Sequence, residues 1–167
     1  MHSRRYVVMG VCGSGKSLIG SSLARALDIE FVEGDGYHPP ENVALMASGI
    51  PLTDDDRREW LLAIGARLGD ARRTGAGLVV SCSALKSAYR DILRARAGDL
   101  QFVFLHGTAE LLAARLATRV GHFMPPSLLM SQLATLEEPS PEEQAWTCDV
   151  RESPEAIVAA LVALATT

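Results

Sequence analysis

Eight residues near the start of the chain carry the clearest chemistry: Gly10-Val11-Cys12-Gly13-Ser14-Gly15-Lys16-Ser17. They fit G-x-x-x-x-G-K-[ST], the phosphate-cradling P-loop. Glycines let backbone N–H groups turn inward and approach an anion without a Cβ in the way. A helix N-terminus at that point adds positive potential. Gly10, Cys12, Gly13, Ser14, Gly15, Lys16 and Ser17 would therefore line a nucleotide site, with Lys16 reaching the β- and γ-phosphates and the Ser17 hydroxyl ligating Mg²⁺. The flanks agree: Tyr6-Val7-Val8-Met9 reads as a short buried strand, and Ser17 to Leu27 reads as a helix with apolar residues near helical spacing. This fixes a phosphate donor and leaves the acceptor open.

Candidates for the acceptor side follow in chain order. Ile29 to Glu33 reads as a second strand, running into Gly34-Asp35-Gly36-Tyr37-His38-Pro39-Pro40. In an open α/β sheet, ligands sit beyond the C-terminal strand ends, which puts Asp35 and His38 on the P-loop edge. Asp35 would orient or deprotonate an attacking hydroxyl, or else simply form a turn between glycines. Arg57 falls one turn into a helix that Thr53 or Asp54 caps, and it faces either the cleft or solvent. Lys86 and Arg90, four residues apart, would share one face at the start of another helix. Two cations there oppose the helix dipole, which an anion between them would explain, and surface cations are the alternative. Arg115 and Arg119 repeat the pattern before the Gly/Pro-punctuated run Val120 to Pro126, giving either a lid that closes cations over phosphates or two solvated arginines. The strand Gly77 to Ser83 ends on small residues, without the Walker-B aspartate of many P-loop NTPases.

These residues need a framework, and the pattern supplies one. Strands near residues 6–9, 29–33, 77–83, 101–105 and 145–150 alternate with helices, the signature of an α/β fold with a parallel sheet. Ser153 followed by Pro154 is a clean start for the last helix. The preceding loop, Asp149–Pro154 with Ser153 in it, would border the adenine. With 167 residues the chain is expected to form one domain spanning 1–167. Its net charge of −4 gives no global reason to bind nucleic acid or an anionic membrane. No apolar run is long enough to span a bilayer, and the first strand follows the N-terminus too closely to leave room for a targeting segment. Three cysteines, Cys12, Cys82 and Cys148, lack metal-like spacing and are expected as free thiols in a cytoplasmic protein.

Beyond the P-loop, the sequence resembles the bacterial gluconokinase family, small P-loop kinases that phosphorylate D-gluconate on its 6-hydroxyl with ATP. The resemblance rests on Gly10–Ser17, Glu33-Gly34-Asp35 with His38-Pro39, Met46-Ala47-Ser48-Gly49, Pro51-Leu52 and Asp54-Asp55-Asp56-Arg57. It continues through Trp60-Leu61, Cys82-Ser83-Ala84-Leu85-Lys86, Tyr89-Arg90-Asp91, Arg119 with Gly121-His122-Phe123, Gln132, and Thr135-Leu136-Glu137-Glu138-Pro139. The family implies an adenylate-kinase-like, three-layer αβα fold with a five-stranded parallel sheet and a helical lid at about 115–136. It implies ATP and Mg²⁺ as cofactors and suggests a homodimer.

By that resemblance Lys16, Asp35 and Arg119 are catalytic. Asp35, His38, Arg57, Lys86, Arg90 and His122 fall in the substrate-binding region, and Arg115, Arg119 and His122 lie in the lid. The chain departs from the family where Cys12 replaces Ser, where Pro40-Glu41 rather than basic residues follows His38-Pro39, and where Val120 replaces a common Lys. A related alternative is another small-molecule P-loop kinase such as shikimate kinase. An alternative of a different class is a nucleotide-binding regulatory module. The guanine motif Asn-Lys-x-Asp and an Asp-x-x-Gly after a strand are both missing, which argues against a GTPase switch.

Overall fold

The five strands expected from the sequence are present in the computed structural model, which describes residues 4–118 and 126–167. They are β1 (Arg5–Met9), β2 (Glu30–Glu33), β3 (Leu78–Ser81), β4 (Gln101–His106) and β5 (Trp146–Asp149). They form one sheet in the order β2-β3-β1-β4-β5, and every pairing is parallel. Among the described residues seven α-helices accompany them: α1 (Lys16–Leu27), α2 (Pro40–Ala47), α3 (Asp54–Thr74), α4 (Ser87–Ala97), α5 (Ala109–Ala117), α6 (Pro126–Thr135) and α7 (Pro154–Ala165). Arg119, Val120 and His122 lie outside the described residues.

Strand periodicity builds the layers. Successive residues of β1 point to opposite faces. Tyr6 and Val8 pack with Ile19, Leu23, Ile157 and Leu161, so α1 and α7 cover one face. Val7 and Met9 pack with Trp60, Leu61, Ile64 and Leu93, so α3 and α4 cover the other. Burial on both faces explains why β1 and β3 read as continuous apolar runs rather than alternating ones. The helix starts follow their caps. Thr53 accepts from the Asp56 N–H at 3.1 Å while Asp56 accepts from the Thr53 N–H at 2.9 Å, a closed capping box. Ser153 accepts from the Ala156 N–H at 3.1 Å at the head of α7.

The start of α4 departs from expectation. The chain after β3 runs through Ala84 at φ +45° and stays extended at Lys86, so the helix begins only at Ser87. Lys86 is therefore the N-cap, and it does not share a helical face with Arg90. The Arg90 side chain is fully buried. Its Nε donates to Glu143 at 2.7 Å, one terminal nitrogen donates to the Ala84 carbonyl at 2.8 Å, and the other donates to the Glu137 carbonyl at 3.0 Å and to Glu143 at 3.1 Å. Arg94 donates to the same carboxylate at 2.7 Å. The Glu137 N–H meets the Leu85 carbonyl at 2.8 Å, and the Glu137 carboxylate caps α4 at the Ser87 N–H at 2.9 Å. Arg90, expected beside a substrate, thus fastens residues 137–143 to the head of α4. A guanidinium this enclosed has every nitrogen committed to protein.

Burial pushes the Glu143 carboxyl up, but hydrogen bonds from Arg90 and Arg94 outweigh it and hold the group down at about 2, against an ordinary 4.5. A lowered carboxylate stabilises the fold above its ordinary pKa, and that contribution is lost as pH falls from 4.5 toward 2. Glu143→Ala should lower stability in urea unfolding by about 3 kcal/mol, since it strands the buried Arg90 charge. It should also remove part of the wild-type loss of stability across that acid window.

Candidate active site

The C-terminal strand ends are level, and their loops converge on two adjoining cavities. The glycines of the P-loop open the first. A Cβ on Gly10 would lie 2.8 Å from the Ser14 hydroxyl oxygen and 2.9 Å from the Leu105 carbonyl, so only glycine lets the loop close against β4. Gly15, at φ +93°, has nothing within 4 Å of where its Cβ would be and faces open space at the head of α1. The groove in front of it holds about 420 Å³, with Gly13, Lys16, Ser17, Glu33, Arg115 and Glu152 among its walls. The Ser14 hydroxyl is buried there without a hydrogen-bond partner among the described residues. The Lys16 side chain is half-buried and, among the described residues, its ammonium donates one bond, to the Val11 carbonyl at 3.0 Å, of the three it can make. Burial lowers its pKa, and the charge of Asp35 partly restores it. A glycine cradle, spare cationic donors and an orphaned hydroxyl fit a polyphosphate.

A carboxylate that the sequence reading passed over completes this edge. The Ser17 hydroxyl donates to Glu33, at the end of β2, and the Ser81 hydroxyl, at the end of β3, donates to the other oxygen of the same carboxylate. Glu33 and Ser81 are register partners in the sheet. The carboxylate missing after β3 is thus supplied by the next strand. Gly34 must follow it, because a Cβ there would come within 1.9 Å of the Ser81 carbonyl. Among the described residues no cluster of three or more His, Cys, Asp or Glu could enclose a metal. Ser17 with Glu33 nearby fits Mg²⁺, which binds few protein ligands and keeps several waters.

The second cavity lies against the first, and Cys12, Lys16 and Asp35 line both. His38, Arg57 and Gln132 line it as well. Asp35 sits in a short 3₁₀ turn, Gly34–Tyr37; its carbonyl accepts the His38 N–H at 3.2 Å, while its carboxylate makes no hydrogen bond among the described residues. His38 stacks on Trp60, with ring centres 4.1 Å apart, and the Trp60 indole N–H is tied to the Gly34 carbonyl at 2.8 Å. The Asn42 amide nitrogen donates to the Asp56 carbonyl at 2.7 Å and lies 3.2 Å from His38 Nδ1. A carbonyl can only accept, so the nitrogen of Asn42 faces both groups and Nδ1 is the acceptor. The proton of neutral His38 is therefore on Nε2. Burial lowers the His38 pKa, Asp35 raises it and Arg57 lowers it further.

Arg57 is buried, yet the one hydrogen bond of its guanidinium among the described residues is donated to the Tyr89 hydroxyl at 3.0 Å. Tyr89 in turn donates to Asp54. A buried guanidinium that lines the cavity with no carboxylate in contact among the described residues is the arrangement that an anionic ligand completes. Lys86 lies outside this cavity wall. Its ammonium is 3.0 Å from Asp54 and rests over the Tyr89 ring, so it reaches Arg57 only through Asp54 and Tyr89. Arg115 borders the groove and donates to the Val150 carbonyl. Ser153 spends its hydroxyl capping α7, while its neighbours Glu152 and Pro154 line the groove. Burial pushes the Cys82 thiol up to about 12 and the Cys148 thiol up to about 11, so both are poor nucleophiles at neutral pH.

A phosphate cradle opening into a pocket with a carboxylate at the junction and a buried cation behind it defines a small-molecule P-loop kinase. Comparison with known proteins agrees. The family model for shikimate kinase matches residues 12–165. The thermosensitive gluconokinase of Escherichia coli K12 is 45% identical over 149 residues, covering 86% of this chain and 77% of that one. The gluconokinase of Gluconobacter oxydans 621H is 44% identical over 159 residues, covering 95% and 89%. A gluconokinase crystal structure from Sinorhizobium meliloti 1021 superposes with a TM-score of 0.87 at 53% identity, covering 97% and 93%. A shikimate kinase from Bacteroides thetaiotaomicron shares the fold, at a TM-score of 0.69 and 19% identity. The chain belongs to the gluconokinase family.

The Asn42 contact generates a prediction about His38. By ¹⁵N NMR its ring should titrate below 6.5 and carry its proton on Nε2 when neutral. Asn42→Ala should release the ring into a mixture of tautomers. An unprotonated Nε2 in the wild-type protein would contradict the arrangement.

Proposed function

We infer that the protein transfers the γ-phosphoryl group of ATP to the 6-hydroxyl of D-gluconate, giving 6-phosphogluconate. The observation that carries this reading is the sharing of Lys16 and Asp35 by both cavities: donor and acceptor sites meet at one cation and one carboxylate. The P-loop amides and Lys16 hold the polyphosphate and neutralise charge as the γ-phosphoryl moves. Ser17, with Glu33 behind it, would hold Mg²⁺, which when bound neutralises charge on the β- and γ-oxygens. Asp35, whose carboxylate has no hydrogen-bond partner among the described residues, orients the acceptor hydroxyl and takes its proton. Arg57 answers the carboxylate of the acid, and the His38 Nε2–H donates to an oxygen of the chain. Arg115 borders the groove and would meet phosphate once the ligand displaces the Val150 carbonyl from its guanidinium. The buried, uncompensated Arg57 favours an acidic acceptor over a neutral sugar.

Two substitutions and one panel test this assignment. Lys16→Ala should cut phosphoryl transfer by at least roughly 10²-fold in a coupled ADP-release assay, the usual loss for one electrostatic contact to the reacting group. Asp35→Asn should lower kcat by about 10²-fold or more with ATP binding little changed, as expected on removing a general base. Release of ADP should be measured with gluconate, shikimate, glucose, nucleoside monophosphates and no acceptor. Turnover confined to gluconate is the expected result. Turnover with shikimate alone would move the protein to a different acceptor, and none at all would favour a nucleotide-binding module.

A further inference from the structure

Gln132 joins the two cavities by a route that the reaction scheme above does not use. It lies on α6, half-buried, and its amide oxygen accepts the Cys12 N–H of the P-loop at 2.8 Å. An N–H can only donate, so the oxygen end of the amide faces the loop and Nε2 points away from it. Nε2 has no partner among the described residues, although the side chain lines the acceptor cavity with Asp35, His38 and Arg57. A half-buried donor pair left open beside a binding cavity calls for an acceptor supplied by the ligand. A polyhydroxy acid offers several.

The helix end that carries Gln132 is firmly held. The Gln132 carbonyl accepts the Leu136 N–H at 2.9 Å, the next residue, Glu137, is tied to Leu85, and Arg90 donates to the Glu137 carbonyl. The buried Arg90–Glu143 pair therefore sets where Gln132 stands.

We propose that Gln132 contacts the acceptor directly through Nε2, in an orientation imposed by the Cys12 N–H, and so links acceptor occupancy to the P-loop. The proposal rests on the second cavity being the acceptor site. One planar amide touches the loop backbone on one side and the acceptor on the other, so order at either site favours order at the other.

Calorimetric titration tests this with wild type, Gln132→Met and Gln132→Glu, each with and without ADP. Gln132→Met, close in volume and without donors, should weaken gluconate binding about tenfold while ADP binding alone shifts by no more than about twofold, the range for one hydrogen bond to a charged ligand. Gln132→Glu keeps an acceptor for the Cys12 N–H but turns a carboxylate toward an acid, so it should bind gluconate more weakly than Gln132→Met. ADP should tighten gluconate binding in wild type and lose that effect in Gln132→Met. A residue that only latched α6 to the loop would give the opposite pattern: Gln132→Glu would bind gluconate like wild type, and Gln132→Met would lose ADP affinity. Gln132→Asn, one methylene shorter, serves if thermal unfolding shows the Met variant to be destabilised. Unchanged gluconate affinity in the folded variants would overturn the contact alone. Wild-type protein that bound ADP but no gluconate would overturn the acceptor assignment with it.

Discussion

Level strand ends are the constraint on which this site depends. Parallel pairing sets Val8 beside Ser81 and Ser81 beside Glu33, so the β1, β3 and β2 loops leave the sheet at one height. That alignment lets a single carboxylate, Glu33, accept hydrogen bonds from the hydroxyls of both Ser17 and Ser81. A slip of one residue in β2 would turn Glu33 to the other face of the sheet. Gly34 enforces the close approach that follows, since no side chain fits against the Ser81 carbonyl. Trp60 then uses the Gly34 carbonyl as its anchor and holds His38 by stacking. A register fixed by apolar strands is in this way carried into the placement of polar groups.

The two buried arginines show how enclosure separates structure from recognition. Both sit on helices of the same layer, and both are nearly inaccessible. Arg90 has a carboxylate and two carbonyls, and every one of its three nitrogens donates to them. Its desolvation is compensated within the protein, so it can bind nothing else. Arg57 has one neutral hydroxyl. Its charge is balanced only at a distance, by Asp54 behind Tyr89. The cost of burying a cation without a close anion is tolerable when a ligand supplies the anion, and it selects for ligands that do.

What could be read in the sequence was local. The P-loop was legible because its function is written in eight consecutive residues, and Thr53, Ser153 and Pro154 were legible because caps act within one helical turn. The α/β class followed from alternation of periodicities, and the three-layer αβα arrangement came with the family resemblance. The contacts that decide roles span long separations: Ser81 to Glu33 over 48 residues, Arg90 to Glu143 over 53, Cys12 to Gln132 over 120. Lys86 and Arg90 illustrate the limit. Their spacing implied a shared helical face only if the helix began before Lys86. The positive φ at Ala84 delays it, and that turn has no strong signal in Ser-Ala-Leu-Lys. Glu33 was visible as a strand residue, but its partner stood on a strand far along the chain.

Cys12 shows how a position inside a functional loop can accept an unusual residue. Its side chain is buried in the core cluster that includes Val11, Trp60 and Leu129, so small size and tolerance of an apolar setting are what the site demands. A thiol meets both. The hydrogen bond from this residue to Gln132 belongs to the backbone: the N–H that orients Gln132 is common to every amino acid except proline. Loop and helix are therefore joined through an atom that substitution at position 12 does not remove, while on the helix side the same contact depends on the identity of residue 132. The loop backbone holds the nucleotide, and the side chains facing it carry the choice of acceptor.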